Sequence, residues 1–160
     1  MKKYISVIFT MFVAFAVYAQ SADIISDILE SEKVSIGQVC YIAAVEQGLM
    51  SDKSGYREAV DALIDNDQLG EYVDDENEVI PVVNVAFIMS QIWDVKGGLM
   101  YMITKGSPRY AFKQFKADGI IASSVEPRDY ISGPEFLSMY TSCSRVYGRF
   151  DIGSVSMENE

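Results

Sequence analysis

The chain has 160 residues, with 23 acidic, 13 basic and no histidine side chains, and a formal net charge of −10 at pH 7. Because histidine is the usual general base, the base of catalytic triads and the commonest transition-metal ligand, its absence excludes most hydrolase and zinc mechanisms. The negative charge repels phosphate backbones and anionic lipid surfaces, so we expect no nucleic-acid partner. Cations or a basic protein surface suit the chain better.

The N-terminus has the organisation of a secretion signal. Lys2 and Lys3 precede an apolar run over residues 4–18, and a Val-x-Ala motif ends at Ala19. This pattern predicts a cleaved signal peptide over residues 1–19, and hence a periplasmic or cell-envelope protein. A retained anchor is the alternative, but the run is shorter than the roughly 20 apolar residues that a bilayer span needs. After cleavage we expect a net charge of −12 and no membrane insertion.

The first half of the mature chain contains three segments whose apolar residues recur at helical spacing. Within residues 20–33 this spacing predicts a short lead-in helix. A longer helix is predicted from Ser35, which has capping-box spacing to Gln38, up to Gly48. After a polar turn, the pattern predicts a third, amphipathic helix over residues 56–66.

An acidic run over residues 65–78 follows these helices, and such runs are usually solvated linkers. It also approximates an EF-hand calcium loop, whose positions 1, 3, 7 and 12 would be Asp65, Asp67, Glu71 and Glu76. Leu69, however, stands at position 5, where an oxygen ligand belongs. A linker without a cofactor is therefore the main interpretation, and calcium binding is the alternative.

Two further helices are predicted in the middle of the chain. One begins near Pro81, interpreted as a first-turn proline, and ends at Trp93. Residues 99–103 then form a short apolar run that fits a strand, a loop plug or a helix extension. The next helix covers residues 108–117, after Ser107 as its N-cap.

The last predicted helix follows a polar, turn-rich stretch. It opens at Ser132, which has capping-box spacing to Glu135, and it carries Pro134 in its first turn. The apolar pattern continues to Tyr147, and residues 148–160 are predicted to be a frayed tail.

The chain has two cysteines, Cys40 and Cys143, far apart in sequence. In an exported protein they could form a disulfide, since disulfides persist outside the cytosol. Two small buried hydrophobes on separate helices are an equally good interpretation. The sequence leaves both alternatives open.

Three of the helix starts align with one another: VSIGQVCYIA from Val34, IPVVNVAFIM from Ile80 and ISGPEFLSMY from Ile131. Each has an apolar residue, then a helix-start residue, then an amide or carboxylate side chain three positions on. The starts lie 46 and 51 residues apart, a period expected of helical repeat units. We therefore predict one all-α domain over residues 34–147, in which long and short helices alternate.

The segment 110–147 resembles the S-layer homology repeat. Tyr110-Ala111 match its helix opening, Gly119-Ile120 its helix end, Pro127 its loop proline and Glu135-Phe136 its second helix start. The resemblance implies an all-α domain of helix-loop-helix repeats that attaches proteins to the cell envelope. One departure concerns a Thr-Arg pair, which contributes to recognising an anionic cell-wall polysaccharide in that family. This chain has Ser132-Gly133 there, and glycine has no guanidinium to pair with a carboxylate or phosphate.

Aromatic and methionine residues are concentrated near the middle of the chain, and most of them are expected in the core. A tyrosine-rich groove can nonetheless stack on sugar rings or present binding hot spots to a protein. The candidate ligand-binding residues are Tyr101, Arg109, Tyr110 and Arg128.

Together these patterns predict an attachment or scaffolding protein of the cell envelope. We expect it to be non-enzymatic, because the serines have neither a glycine elbow nor a histidine base for nucleophilic catalysis. The expected partner is a cell-wall glycan or an envelope protein. A calcium-dependent binding protein that uses residues 65–76 is the alternative. The sequence does not decide the oligomeric state.

Overall fold

The computed structural model describes residues 23–69, 73–93, 95 and 107–148. These residues form six α-helices and no strand, which confirms the predicted all-helical fold. The helices are α1 over residues 23–30, α2 Ile36–Glu46, α3 Tyr56–Asp65, α4 Val82–Ile92, α5 Pro108–Ala117 and α6 Gly133–Tyr147. The predicted leader, the run 99–103 and the tail from residue 149 lie outside the described residues.

Capping boxes begin α2 and α6, as their sequences predict. The Ser35 hydroxyl accepts from the Gln38 backbone N–H at 3.3 Å, and the Gln38 Oε1 accepts from the Ser35 N–H at 3.1 Å. Ser132 and Glu135 make the same reciprocal pair at the start of α6. Each box satisfies two of the amide groups that a helix N-terminus otherwise leaves unpaired.

Pro81 is the exception among the predicted helix starts. It is the N-cap residue of α4, with extended backbone, and the helix proper begins one residue later at Val82. The prediction of a first-turn proline is wrong by that one position. Proline nevertheless suits the N-cap position, because an N-cap residue has an extended backbone that proline can adopt. Among the described residues, no side-chain hydrogen bond caps this helix.

The short helices α3 and α5 end in the same way, 52 positions apart. The Leu63 carbonyl accepts from the amides of residues 68 and 69, and the Phe115 carbonyl accepts from those of residues 120 and 121. A left-handed residue makes each turn, with φ of 56° at Asp67 and 73° at Gly119. The turn then returns an aliphatic side chain to the core, Leu69 after α3 and Ile121 after α5.

Because Leu69 and Val73 are both buried, the acidic run over residues 65–78 is not a simple solvated linker. Its apolar residues anchor it to the core, while most of the described acidic residues in it stay exposed.

All six helices contribute to one hydrophobic core. Helix α2 packs against α3 and α4, and α4 packs against α5. The largest fully buried side chains come from α1, α2, α3, α4, α5 and α6: Ile28, Tyr41, Leu63, Met89, Phe115 and Phe136. Because Ile28 is fully buried, the lead-in helix α1 docks on the core.

The three aligned helix starts meet in what we call the helix-start junction, formed by residues 31–37, 76–83 and 127–133. The Val34 N–H donates to the Ile131 carbonyl at 3.0 Å, and the Ile80 N–H donates to the Val34 carbonyl at 3.3 Å. The first residue of each long helix also donates to a neighbouring segment: Ile36 to Glu78 at 2.8 Å, Val82 to Asp129 at 2.8 Å and Gly133 to Ser31 at 2.9 Å. The junction thus pairs helix-start amides that would otherwise lack partners.

Cys40 and Cys143 are buried free thiols, so the second of the two sequence interpretations describes them. Burial raises the pKa of each thiol to about 12. Both side chains act as small hydrophobic groups in the core.

Within the described residues the longest helix, α6, has 15 residues. None of the helices there combines the length and the apolar character that crossing a bilayer requires.

Candidate binding site

An apolar pocket lies beside the helix-start junction. It is bounded by the start of α4, the loop after α5 and the first half of α6, and its volume is about 140 Å³. Seven of its eight lining residues are aliphatic, alanine or methionine side chains, and the eighth is Glu135.

The floor of the pocket belongs to the protein core. Val82, Ile121, Ile131 and Met139 are all less than 10 % exposed, whereas Ala122 at the mouth is exposed. A floor shared with the core cannot collapse without disturbing the packing of the core itself.

Lys116 fixes the loop that forms one wall. Its ammonium group donates to the Ser123 carbonyl at 2.8 Å and to the Val125 carbonyl at 2.7 Å, and it lies 5.3 Å from the centre of the Phe112 ring. The Val125 N–H also donates to the Ala122 carbonyl at 3.1 Å. These bonds connect the loop to α5 through two of its carbonyl groups.

Glu135 places a negative charge at the pocket. Its Oε2 accepts from both the N–H and the hydroxyl of Ser132 at 2.8 Å. The backbone and side-chain hydrogen bonds from Ser132 lower the pKa of Glu135 below its ordinary value of 4.5, because they favour the charged form. The carboxylate is therefore ionised at neutral pH. Its other oxygen, Oε1, takes no hydrogen bond from the described residues.

Two more carboxylates lie next to lining residues. Glu126 follows Val125, and its N–H donates to the Asp129 carboxylate at 2.7 Å. The Asp129 carbonyl in turn accepts from the Val82 N–H at 2.8 Å. Exposed Arg128 lies in the same turn, so this turn beside the lining loop carries two acidic side chains and one basic side chain.

The proposed ligand groove of Tyr101, Arg109, Tyr110 and Arg128 does not form one site among the described residues. Tyr101 lies outside them, and Arg109 and Tyr110 begin α5. The end of α5 approaches the start of α4, since Ile121 and Val82 line the same pocket. Arg128 lies near the start of α4 as well, because its turn accepts hydrogen bonds from the first amides of that helix. Helix α5 rises about 12 Å between Arg109 and its last residue, so the two arginines lie toward its opposite ends.

The four candidate calcium ligands are also dispersed or undescribed. Asp65 ends α3, Asp67 makes the left-handed turn, and the Glu76 carbonyl accepts from the Gly37 N–H at 2.8 Å. Glu71 lies outside the described residues. Among those that are described, no three metal-binding side chains come together. Calcium binding stays the alternative to the predicted linker without a cofactor.

The pocket itself was not predicted from the sequence. Its wall comes from Ile120, Ile121 and Val125, which lie in a stretch interpreted only as polar and turn-rich. The sequence did contain one signal. Aliphatic side chains occur in this loop although they do not continue the helical spacing of α5, which indicates that they pack against another element.

Comparisons with known protein families, with curated proteins and with solved structures found no match to this chain. The site is therefore interpreted from its own chemistry. A preformed apolar pocket with an ionised carboxylate at its margin can bury a small apolar group and hold a cation beside it.

Proposed function

We propose that this chain is a non-enzymatic attachment or scaffolding protein of the cell envelope, built from diverged S-layer-homology-like helical repeats, and that it binds a protein partner. The observation that carries the proposal is the helix-start junction. Three helix starts of similar sequence donate their first amide to neighbouring segments in the same manner. A rigid helical body assembled in this way is suited to holding other molecules in place.

The repeat origin is supported by a second set of equivalent contacts. Helices α3 and α5 each contain a buried alanine, Ala59 and Ala111. Each also ends with a carbonyl that accepts two amide hydrogens, followed by an aliphatic residue that packs into the core. The corresponding residues are always 52 positions apart. The long helices that follow them place Val85 and Phe136 in the core with no exposed surface. Each pair of short and long helices thus behaves as one unit of a repeat.

A cleaved leader over residues 1–19 would deliver this body to the periplasm or the cell envelope. Cell fractionation with mass spectrometry of the N-terminus tests this part directly. We expect the chain in the envelope fraction with Gln20 as its first residue. An intact leader, or a chain confined to the cytosol, would refute export.

A protein partner is favoured over an anionic wall polymer because no cation stands where the resemblance would require one. The first residues of α2, α4 and α6 are Ile36, Val82 and Gly133, and all three are buried. An arginine at Gly133 has no room, since a Cβ atom there would lie 1.5 Å from the Ile28 carbonyl oxygen.

The charge distribution favours a basic partner. Residues 23–78 contain 15 acidic and 3 basic side chains, whereas residues 79–149 contain 5 acidic and 8 basic ones. Within the described residues one ion pair forms, between Arg57 and Asp61 at 3.1 Å. Most of the negative charge is therefore left for solvent or for a cationic surface.

The choice between glycan and protein is tested by sedimentation with purified, protein-free cell walls at physiological salt. We expect the chain to stay in the supernatant, because its acidic surface is repelled by anionic polymers. Saturable co-sedimentation would instead support wall glycan as the partner.

A further inference from the structure

The pocket beside the helix-start junction has the size, the lining and the charge of a docking site for one side chain. We propose that it receives a single aliphatic side chain from a basic segment of the partner protein, with a lysine or arginine next to that side chain paired with Glu135. This inference rests on the proposed function, of which it specifies the partner's chemistry.

The volume sets the size of the occupant. A dry cavity of about 150 Å³ with apolar walls accepts a molecule such as benzene. The pocket here, at about 140 Å³, therefore suits a leucine, isoleucine or methionine side chain but not a folded element. Its buried floor of Val82, Ile131 and Met139 offers such a group apolar contacts on several sides.

The charge sets what flanks the occupant. Glu135 lines the pocket and its Oε1 takes no hydrogen bond from the described residues, while Glu126 and Asp129 add negative charge on the neighbouring turn. An acidic segment would be repelled by this negative charge, whereas lysine or arginine would be attracted. Arg128 in that turn and Lys116 on the wall offset part of the charge of the three carboxylates.

The fixed geometry of the loop lowers the cost of binding. Since Lys116 already holds the carbonyls of Ser123 and Val125, the wall does not need to become ordered when a ligand enters. An affinity measurable with a short peptide is therefore expected.

Three tripeptides test the proposal with the full chain expressed from its own N-terminus. They are acetyl-Lys-Leu-Lys-amide, acetyl-Lys-Ser-Lys-amide and acetyl-Glu-Leu-Glu-amide, titrated while methyl NMR signals are recorded. We expect the first peptide to shift the methyl signals of Ile121, Val125 and Met139 saturably and to leave those of Leu63 unchanged. Loss of the leucine side chain should weaken binding roughly tenfold or more, as expected from its burial. Equal shifts with the serine or the glutamate peptide would overturn the proposal.

Paired variants locate the binding. Ala122→Phe fills the mouth of the pocket from an exposed position, and Ser124→Phe adds the same ring at an exposed residue that does not line it. The first should abolish the shifts and the second should retain them. Glu135→Gln removes the charge but keeps a side chain that can complete the capping box, so it should fold normally and bind the lysine peptide several-fold more weakly. Unchanged affinity in Ala122→Phe would overturn the proposal.

The outcome can be separated from that of the proposed function. A partner captured in cells equally by wild type and Ala122→Phe would refute the pocket and leave the scaffolding function standing. Peptide binding in the pocket, with no protein partner in the envelope, would refute the function and leave the pocket standing.

Discussion

Gly133 lies directly against the last turn of α1, so closely that a Cβ atom at this position would stand 1.5 Å from the Ile28 carbonyl oxygen. The Gly133 N–H also donates to the Ser31 carbonyl at 2.9 Å. The contact explains why glycine, rather than a residue with a side chain, occupies the first position of α6. The same contact packs α1 against the start of α6.

Gly133→Ala should therefore displace α1 without destroying α6. Because Ile28 would lose its buried position, we expect the free energy of unfolding to fall by about 2 kcal/mol. Urea denaturation measures the change. Ser138→Ala, on the exposed side of the same helix, is the matched control and should change stability by less than about 0.5 kcal/mol. Equal stability of the two variants would show that α1 does not pack as described.

Ser132→Ala should cost about 1 kcal/mol, because it removes the side-chain cap of α6. Glu135→Gln should cost much less at neutral pH, since glutamine can accept the same hydrogen bond.

The capping box also predicts an acid dependence. Glu135 has a lowered pKa in the folded state, so the unfolded chain binds the proton more readily. Its stabilising contribution is present above the ordinary pKa of 4.5 and is lost as the pH falls through the folded value. Denaturation at several pH values below 4.5 should show a smaller drop in Glu135→Gln than in wild type. Identical profiles would contradict the role of the Ser132 bonds.

Tyr56→Phe should loosen α1 from α2 and α3. The Tyr56 hydroxyl donates to Asp27 at 2.6 Å, and the Gln38 amide donates to the same oxygen at 3.0 Å. We expect a loss of about 1 kcal/mol, less than the roughly 1.5–3 kcal/mol of a hydrogen bond to a charged group, because Asp27 is exposed. Urea denaturation of both proteins at pH 7 measures it.

The same tyrosine predicts an alkaline dependence. Burial, followed by the Asp27 hydrogen bond, raises the pKa of Tyr56 above its ordinary value of 10. The stabilisation is therefore complete below pH 10 and is lost as the pH rises above it. Tyr56→Phe should lose less stability than wild type between pH 10 and 11. A steeper loss in the variant would contradict the assignment.

The buried thiols should be inert in the native chain. Cys40 and Cys143 have pKa values raised to about 12 by burial, and thiolates are the reactive form. Alkylation with iodoacetamide at pH 8, followed by mass spectrometry, should show no modification until denaturant is added and two modified cysteines afterwards. A chain that needs a reductant before alkylation in denaturant would contain the disulfide instead.

Calcium titration tests the alternative function. Leu69 occupies loop position 5 and is buried, so the described part of residues 65–76 lacks one oxygen ligand of an EF-hand. We expect no saturable heat in isothermal titration calorimetry. A saturable signal that Glu76→Gln abolishes, and that Asp74→Asn outside the candidate loop ligands does not, would favour the calcium-dependent protein.

The local features of this fold are readable from the sequence, but the pocket is not. Ser35 and Ser132 indicate the starts of their helices because a capping box depends on two residues three positions apart. Gly119 indicates a turn because glycine readily adopts the left-handed backbone observed there. Asp67 takes the same conformation without being glycine, so the end of α3 carried a weaker signal.

Long-range contacts account for the remainder. Nothing in the local pattern indicates that Val82 and Ile121 face one cavity, since that depends on how α5 packs against α4. The separation of Arg109 from Arg128 also depends on tertiary packing. Arg109 lies in the first turn of α5, and the loop turn that contains Arg128 lies near the other end of that helix. The role of Gly133 likewise becomes apparent only when Ile28 is placed against it.

Crosslinking in intact cells, followed by mass spectrometry of whatever is attached to the chain, tests the central proposal most directly. The account predicts crosslinks to an envelope protein through a basic segment, on a chain that begins at Gln20. Crosslinks to glycan fragments without protein, or to cytosolic proteins by a chain that retains its leader, would contradict it.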